Sequence, residues 1–364
     1  MAIDLAINNQ SAWDYFALLY EVELDSSEAG IGDLDMMAAL YPISGTLASC
    51  IGCMYFVESI AKEQPNSMNL MTFSTFLFIS LKGLIFTSKF FTVSHKIPIR
   101  GYLPTVITFF FVNVINNQAL NFHVPVPLHI IFRSGSLLAS LILTKILQRK
   151  QYSIRKYLAV LSITIGIIIC TMATAHLEKT NQEKTLDDVE KYHREWLIGI
   201  AMLTIALVAS AYLAICQETM YEVYGKHTEE AMFVIHGTSL PFFAFMGEDI
   251  YKSAVAFSRS YLIDILGFLI PHMWVYLAAT CLLQLMCISF IYRLNATFES
   301  LTVTMVVTIR KFLSLLISIL WFRNPFTLAH WIGAALVFAG TLAFADIWTN
   351  RVNLAKENKK EKKY

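Results

Sequence analysis

Long apolar segments recur along the whole of this chain, and they constrain its fold more than any motif does. A helix needs about 20 mostly apolar residues to cross roughly 30 Å of hydrocarbon. Ten segments of the 364-residue chain meet this requirement, and they are residues 37–58, 69–91, 102–122, 125–147, 155–175, 196–217, 231–248, 272–292, 297–321 and 326–348. With 56% hydrophobic and 15% charged residues, the composition excludes a soluble globular protein. The sequence therefore predicts an all-α polytopic membrane protein with ten transmembrane helices.

The region after the sixth segment is the least regular part of this pattern. Gly237 and Pro241 interrupt the seventh segment. We interpret the short apolar stretch Leu262–Ile270 as an interfacial piece, with a further span as the alternative. An error of one span here would reverse the orientation of all later helices.

The positions of lysine and arginine predict the orientation, because cytosolic loops carry an excess of both. With both termini cytosolic, the basic loops after the second and fourth segments are cytosolic, as is the basic tail. The loop at residues 176–195 mixes its lysines with aspartate and glutamate and fits the opposite side. The predicted regions are thus an N-terminal cytosolic segment (1–36), five helices (37–175), a non-cytosolic loop (176–195), five helices (196–348) and a basic tail (349–364).

The chain contains a partial copy of itself. When the residues around Arg133 are laid over those around Arg310, and the loop that follows is taken as three residues shorter in the second half, Gly166 falls on Gly340. Five spans per half is an odd number, so the second half must enter the membrane from the opposite side. The alignment predicts two inverted five-helix repeats, an architecture that alternating-access transporters often use.

Three cations lie deep inside the fourth and ninth predicted spans. Arg310 and Lys311 lie near the middle of the ninth span, and Arg133 lies about 12 Å from the non-cytosolic surface in the fourth. A lipid-facing charge at mid-depth costs roughly 2.5 to 3.5 kcal/mol, so these side chains should face protein or a water-filled cavity. Adjacent helical residues point about 100° apart, and we expect Lys311 to face the cavity and Arg310 to be shared with the bundle. The pattern predicts a site for an anion.

Other polar residues in the spans are weaker candidates for substrate binding. The amides of Asn113, Asn116 and Asn117 can bind polar substrate groups or hold helices together. Lys82 is either a second anion contact or a side chain that extends to the membrane surface. The remaining candidates are His129, His236 and Thr308, and a lone histidine in a bundle is more often a packing residue than a ligand.

The six cysteines all lie within or at the edge of predicted spans. Cys50 and Cys53 form a C-x-x-C pattern, but no further Cys or His lies around them at metal-ligand spacing. We therefore predict helix packing rather than metal or redox chemistry for them, and no cofactor for the chain.

Two stretches carry a family resemblance. The segment from Asn113 to Asn121, followed by Pro127 to Leu137, resembles the third and fourth spans of nucleotide-sugar transporters of the drug/metabolite transporter superfamily. The stretch Thr302–Phe312, with Phe326-Thr327 and His330-Trp331, resembles the ninth and tenth spans of the same group. The resemblance covers nearly all of the chain after about residue 37.

The resemblance implies a function. It implies ten helices in inverted halves and an antiporter that imports UDP-N-acetylglucosamine or UDP-xylose into the lumen of the endoplasmic reticulum or Golgi apparatus in exchange for UMP. The expected partners are these nucleotides and the lipid bilayer, without nucleic acid, and a homodimer is left open. One departure concerns the seventh span, where Phe233-Val234-Ile235-His236 replaces the Phe-Tyr-Asn-His usual in the family.

The C-terminus carries a second signal. Lys360 and Lys362 stand in the K-x-K-x-x pattern of an endoplasmic reticulum retrieval signal, which the COPI coat reads. The alternative is a solvated basic tail beside anionic lipid.

Two other functions stay open. The cations indicate an anion and not specifically a nucleotide, so the chain is alternatively a carrier of another phosphorylated metabolite. A membrane-embedded sugar transferase is a third hypothesis, but Glu248 and Asp249 are adjacent and stand alone, without the carboxylate or metal cluster that such an enzyme needs. We expect a transporter and not an enzyme.

Overall fold

The computed structural model describes residues 31–122, 124–147, 149, 152–180, 186–265, 267–298 and 300–344. The chain divides into two compact units, Met1–Tyr41 and Pro42–Tyr364. In the first unit the described residues, 31–41, are helical. Lys360 and Lys362 lie outside the described residues, so the retrieval signal stays a prediction.

Helices dominate the described part of the chain. They are α1 (Ile31–Glu63), α2 (Met68–Lys82, extended by a π-helical turn over Gly83–Thr87), α3 (Ile99–Leu120), α4 (Val126–Ser134), α5 (Ser136–Leu147), α6 (Ile154–Thr180), α7 (Leu186–Tyr224), α8 (Thr228–Ser239), α9 (Gly247–Ser258), α10 (His272–Thr297), α11 (Ser300–Leu320) and α12 (Leu328–Phe344). Pro98 and Pro125 directly precede α3 and α4, where proline costs no helical hydrogen bond. The predicted loop at 176–195 is largely helical, because α6 continues to Thr180 and α7 begins at Leu186.

Seven helical segments of the described residues are long and apolar enough to cross a membrane. They are Leu40–Glu63, Met68–Thr87, Ile99–Leu120, Val126–Leu147, Ile154–Leu177, Arg194–Tyr224 and His272–Leu294. The other three predicted spans also contain helix, but α12 has only 17 residues and the seventh span is broken. The structure thus supports a polytopic membrane protein, while the ten spans and the inverted repeat remain predictions.

The seventh predicted span, 231–248, is not one continuous helix. Helix α8 ends at Ser239, a 3₁₀ segment follows over Leu240–Met246, and α9 then begins at Gly247. Pro241 lacks the backbone N–H that an α-helix needs at this point, which explains the change of helix type. The interruption predicted from Pro241 is confirmed, whereas Gly237 lies within α8 and does not break it.

The stretch after α9 forms a β-hairpin. Strand β1 (Leu262–Ile265) pairs antiparallel with β2 (Phe268–Pro271), and Gly267 has a φ of +85° in the turn. Asp264 Oδ1 accepts a hydrogen bond of 2.9 Å from the Gly267 N–H. Four-residue strands are far too short to cross a bilayer, so Leu262–Ile270 is not a further span.

Helices α6 and α12 pack backbone to backbone through glycine. A Cβ atom added to Gly166 would lie 2.5 Å from the Gly333 carbonyl oxygen, and one added to Gly340 would lie 2.8 Å from the Ala159 carbonyl oxygen. Ser162 Oγ donates a hydrogen bond of 3.0 Å to the Leu336 carbonyl. Small residues on the fifth and tenth predicted spans therefore allow these two helices to approach closely.

Candidate functional site

Arg133 faces an internal space of the helix bundle. Every residue from Pro127 to Gly135 is buried except Arg133, which is exposed. A helix that is buried on either side of one exposed arginine has protein around it, so this exposure opens into a space inside the bundle. Ile130, one turn earlier on the same face, lines a small cavity with Ser314 of α11 and Met54 of α1. Arg133 thus projects toward the region between α1, α4 and α11.

Arg310 and Lys311 of α11 reach the same region. Both side chains are half-buried, and Arg133 interacts electrostatically with each of them. Arg310 also interacts with Cys53 of α1, and its buried Nε has no hydrogen-bond partner in the described part of the chain. The structure therefore brings together three cations that the sequence places on two distant segments.

Within the described residues, no carboxylate pairs with this cation cluster, which we define as Arg133, Arg310 and Lys311. Within the described ranges, none of the three side chains forms an ion pair or a hydrogen bond with protein. Clustered cations repel one another, and partial burial deprives each of hydration. Such an arrangement is stabilised when an anion enters, because phosphate oxygens accept strong charge-assisted hydrogen bonds from Arg and Lys.

His129 and Asn116 are the polar neighbours of the cation cluster with unused hydrogen-bonding capacity. His129 is 6% exposed on α4, its ring bonds the backbone of Asn116, and its Nε2 is buried without a partner among the described residues. The Asn116 side chain is 8% exposed and forms no hydrogen bond within those residues. Buried polar groups are normally paired, so both side chains are suited to contact a ligand.

The other amides of α3 are engaged within the protein. Asn113 Nδ2 donates a hydrogen bond of 2.8 Å to the Phe109 carbonyl of its own helix. Asn117 Nδ2 bonds the Thr72 hydroxyl and, at 3.4 Å, the Met68 carbonyl of α2. The sequence predicts that these amides either bind polar substrate groups or hold helices together. Asn117 does the second, because it joins α3 to α2.

Glu58 of α1 is a site residue that the sequence analysis missed. Its side chain is 3% exposed and lines the same small cavity as Ile130 and Ser314. Glu58 Oε1 accepts hydrogen bonds from Ser318 Oγ at 2.8 Å and from Asn324 Nδ2 at 2.6 Å. These bonds tie the end of α1 to the end of α11. One indication of this role is visible in the sequence, because Glu58 is an acidic residue at the last position of the first apolar segment.

The remaining predicted site residues are Lys82, His236 and Thr308. Lys82 Nζ forms an ion pair of 2.9 Å with Glu229 of α8. His236 packs its ring against Phe76 and Phe109 and shares a hydrogen bond of 2.7 Å with the Met232 carbonyl. Thr308 lies one turn before Lys311 on α11, is 4% exposed and interacts within the protein. Lys82 and His236 are thus engaged by other parts of the protein.

The cysteines depart from the prediction of simple helix packing. Cys50 of α1 and Cys287 of α10 form a disulfide with a Cα–Cα distance of 4.8 Å, whereas Cys53, Cys170, Cys216 and Cys281 are free. The pairing joins residues that are 237 positions apart, so no local spacing signals it. Among the described residues, no group of three or more His, Cys, Asp or Glu side chains is arranged to hold a metal ion.

The match to known proteins covers almost all of this architecture. The family model for the UAA transporter family matches residues 38–348. The chain is 43% identical over 318 residues to "Nucleotide sugar transporter SLC35B4" of Homo sapiens, which covers 87% of this chain and 96% of the relative.

Two further relatives carry more specific names. "UDP-xylose and UDP-N-acetylglucosamine transporter" of Danio rerio is 42% identical over 329 residues, covering 90% of this chain and 99% of the relative. "Endoplasmic reticulum GDP-fucose transporter" of Drosophila melanogaster is 45% identical over 324 residues, covering 86% and 92%. Identity at this level over nearly the full length is decisive, and the chain belongs to the UAA transporter family.

Proposed function

We propose that this protein is a nucleotide-sugar antiporter and not an enzyme. It exchanges cytosolic UDP-N-acetylglucosamine or UDP-xylose for luminal UMP across the membrane of the endoplasmic reticulum or Golgi apparatus. The single observation that carries the proposal is the cation cluster, whose three positive side chains lack protein counter-charges within the described ranges. The names of the relatives support the nucleotide sugar as the anion.

In this proposal the cation cluster binds the phosphates of both substrates. A UDP-sugar carries about two negative charges on its pyrophosphate, and UMP carries roughly 1.5 to 2 at pH 7. Each neutralises most of the cluster, so both stabilise the loaded carrier relative to the empty one. A ligand promotes exchange only through such differential binding to the conformational states.

His129 and Asn116 supply polar contacts to the sugar or ribose, because both have free hydrogen-bonding capacity beside the cluster. Val234 and Ile235, which stand where the family usually has Tyr and Asn, are 6% and 4% exposed and pack in an apolar cluster with Tyr102 and Val106. We therefore place base and sugar recognition on α3 and α4 rather than on α8.

GDP-fucose is the second candidate cargo. The Drosophila melanogaster relative named for it is 45% identical, close to the 42% and 43% of the relatives with the other names. The cation cluster binds the pyrophosphate of either nucleotide equally well, so it does not distinguish the base.

Uptake into sealed proteoliposomes tests the proposal. Purified protein is reconstituted with internal UMP or GMP, and a panel of labelled UDP-, GDP- and CMP-sugars is added outside. We expect accumulation of intact UDP-N-acetylglucosamine or UDP-xylose only when the matching monophosphate is inside. Release of free UDP with a glycosylated acceptor would instead identify a transferase, and uptake of unrelated phosphorylated metabolites would identify another carrier.

The architecture of the proposal is the predicted one. It has ten spans in two inverted repeats, cytosolic termini and a dilysine retrieval signal at Lys360 and Lys362 for the COPI coat, and a homodimer is one assembly to test. Glycosylation acceptor sites inserted at each terminus and in loop 176–195 test the orientation. We expect modification only in the loop, and a modified terminus would contradict the proposed topology.

A further inference from the structure

A polar cavity lies at the end of the second span. None of the cation-cluster residues lines it. The loop between Thr87 and Ile99 and the start of α8 enclose a cavity of about 340 Å³. Its polar lining includes Ser88, Ser94, His95, Lys96, Lys226 and Thr228. This volume accommodates a phosphorylated small group.

The carboxylates of this cavity are already engaged by the protein. Glu229 pairs with Lys82 at 2.9 Å. Glu230 accepts hydrogen bonds from the backbone N–H groups of Lys96 at 3.1 Å and Ile97 at 3.2 Å and from Tyr102 Oη at 3.2 Å. His95 Nδ1 also lies 3.7 Å from Glu230. The acidic groups therefore serve to fix the loop.

The hydrogen-bond donors of the cavity remain available. In the described part of the chain, the ammonium groups of Lys96 and Lys226 form no ion pair. The hydroxyls of Ser94 and Thr228 form no hydrogen bond there either. Two ammonium groups with adjacent hydroxyls are chemically suited to a phosphate group.

The backbone beside the cavity has an unusual conformation. Lys89, Phe90 and Phe91 all have left-handed φ angles, of 45°, 57° and 64°. A residue other than glycine is disfavoured in this region, and such conformations persist where the surroundings hold them and often serve function. Ser88 Oγ holds the turn by accepting a 2.8 Å hydrogen bond from the Phe91 N–H.

The turn leaves two aromatic rings largely exposed, and the Phe91 ring centroid lies 6.1 Å from that of Phe233 in the cavity lining. Phe90 and Phe91 are 67% and 69% exposed, immediately after a span that ends at Thr87. Exposed aromatic rings at the end of a span lie at the level of the lipid headgroups and upper acyl chains. The cavity therefore opens where lipid phosphates are found.

We propose that this cavity binds the phosphate of an anionic phospholipid headgroup. Lys96 and Lys226 contact the phosphate, Ser94 and Thr228 donate further hydrogen bonds, and Phe90 and Phe91 lie against the acyl chains. Under the orientation proposed above, the site faces the cytosolic leaflet, which carries the anionic lipids. The site is independent of which nucleotide the cation cluster binds.

Native mass spectrometry of the full-length protein in detergent tests this site. The protein is titrated with phosphatidylinositol 4-phosphate, with phosphatidylcholine as the neutral lipid. We expect one retained anionic lipid whose affinity falls about fivefold for Lys96→Gln or Lys226→Gln and about thirtyfold for the double variant. The matched control is Lys252→Gln, which removes an exposed lysine from α9 and should not change the affinity.

The source of the phosphate is distinguished by a second variant and a soluble probe. Phe90→Ser with Phe91→Ser should weaken lipid binding and leave binding of soluble inositol phosphate unchanged. Equal competition by UMP or inorganic phosphate, with no effect of the Phe variants, would overturn the lipid assignment. Equal lipid affinity of the Lys96 and Lys226 variants and the Lys252 control would overturn the site itself. Retained nucleotide exchange in phosphatidylcholine vesicles shows that each variant is folded.

Discussion

Replacing Lys311 by Gln should stabilise the empty protein and abolish its response to nucleotide. Lys311 is half-buried near Arg133 and Arg310 and has no protein counter-charge among the described residues. Two like charges 4 Å apart repel by about 1 kcal/mol in water and about 4 kcal/mol at an effective dielectric constant of 20. For a partly hydrated cluster at longer separations, we expect a gain of about 1 to 2 kcal/mol in the free energy of unfolding.

The same substitution should weaken nucleotide binding strongly. Loss of one charge-assisted phosphate contact in a desolvated site costs about 2 to 4 kcal/mol, which is about 30-fold to 900-fold in affinity. A substitution that raises the free energy of unfolding but weakens nucleotide binding identifies a residue that is retained for function. Replacing a cation that serves the structure would change stability and nucleotide binding in the same direction.

The assay is thermal unfolding of purified protein in detergent, with and without UDP-N-acetylglucosamine and UMP. Lys311→Gln should raise the melting temperature of the empty protein and remove the shift that nucleotide causes. Lys82→Gln is the matched control, because Lys82 is paired with Glu229 and should lower the melting temperature without affecting the nucleotide shift. A less stable Lys311→Gln variant that still responds to nucleotide would refute the reasoning.

Three further predictions concern packing, the α1–α11 contact and the charge of the counter-substrate. Gly166→Val should prevent the contact with Gly333 and destabilise the protein by several kcal/mol, measured as a lower melting temperature, whereas unchanged stability would contradict the backbone contact. Glu58→Ala leaves the Ser318 and Asn324 donors unpaired and should cost about 1 to 3 kcal/mol, while Glu58→Gln keeps one acceptor oxygen and should cost less. If both variants melt alike, these hydrogen bonds do not stabilise the protein. Exchange driven by internal UMP should slow as the internal pH falls below about 6, because the phosphate monoester gains a proton there and loses charge. A rate independent of pH in proteoliposomes would show that the monoanion is bound as well as the dianion.

The sequence predicts best where physical cost restricts the alternatives. The class of fold follows from apolar segment length, and the placement of Arg133, Arg310 and Lys311 away from lipid follows from the cost of a cation in the bilayer. The interruption near Pro241 follows from a missing backbone donor. Each of these is a local property of the chain.

Contacts between distant residues escaped prediction for the opposite reason. The pairing of Lys82 with Glu229 and of Cys50 with Cys287 depends on which helices are neighbours, and no local pattern encodes that. The hairpin at Leu262–Ile265 and Phe268–Pro271 is similar, because a short apolar run fits a strand as well as a helix. Glu58 was overlooked because an acidic residue at a span end usually lies in water.

The Cys50–Cys287 disulfide has a mechanical consequence for transport. Glu63 and His272, which lie 2.5 Å apart, and the Phe56 and Tyr276 rings hold the same two helices together further along. In the proposed transport cycle, α1 and α10 must therefore move together as one rigid pair. The surfaces that slide past one another in this proposed cycle then lie on the outer sides of the pair.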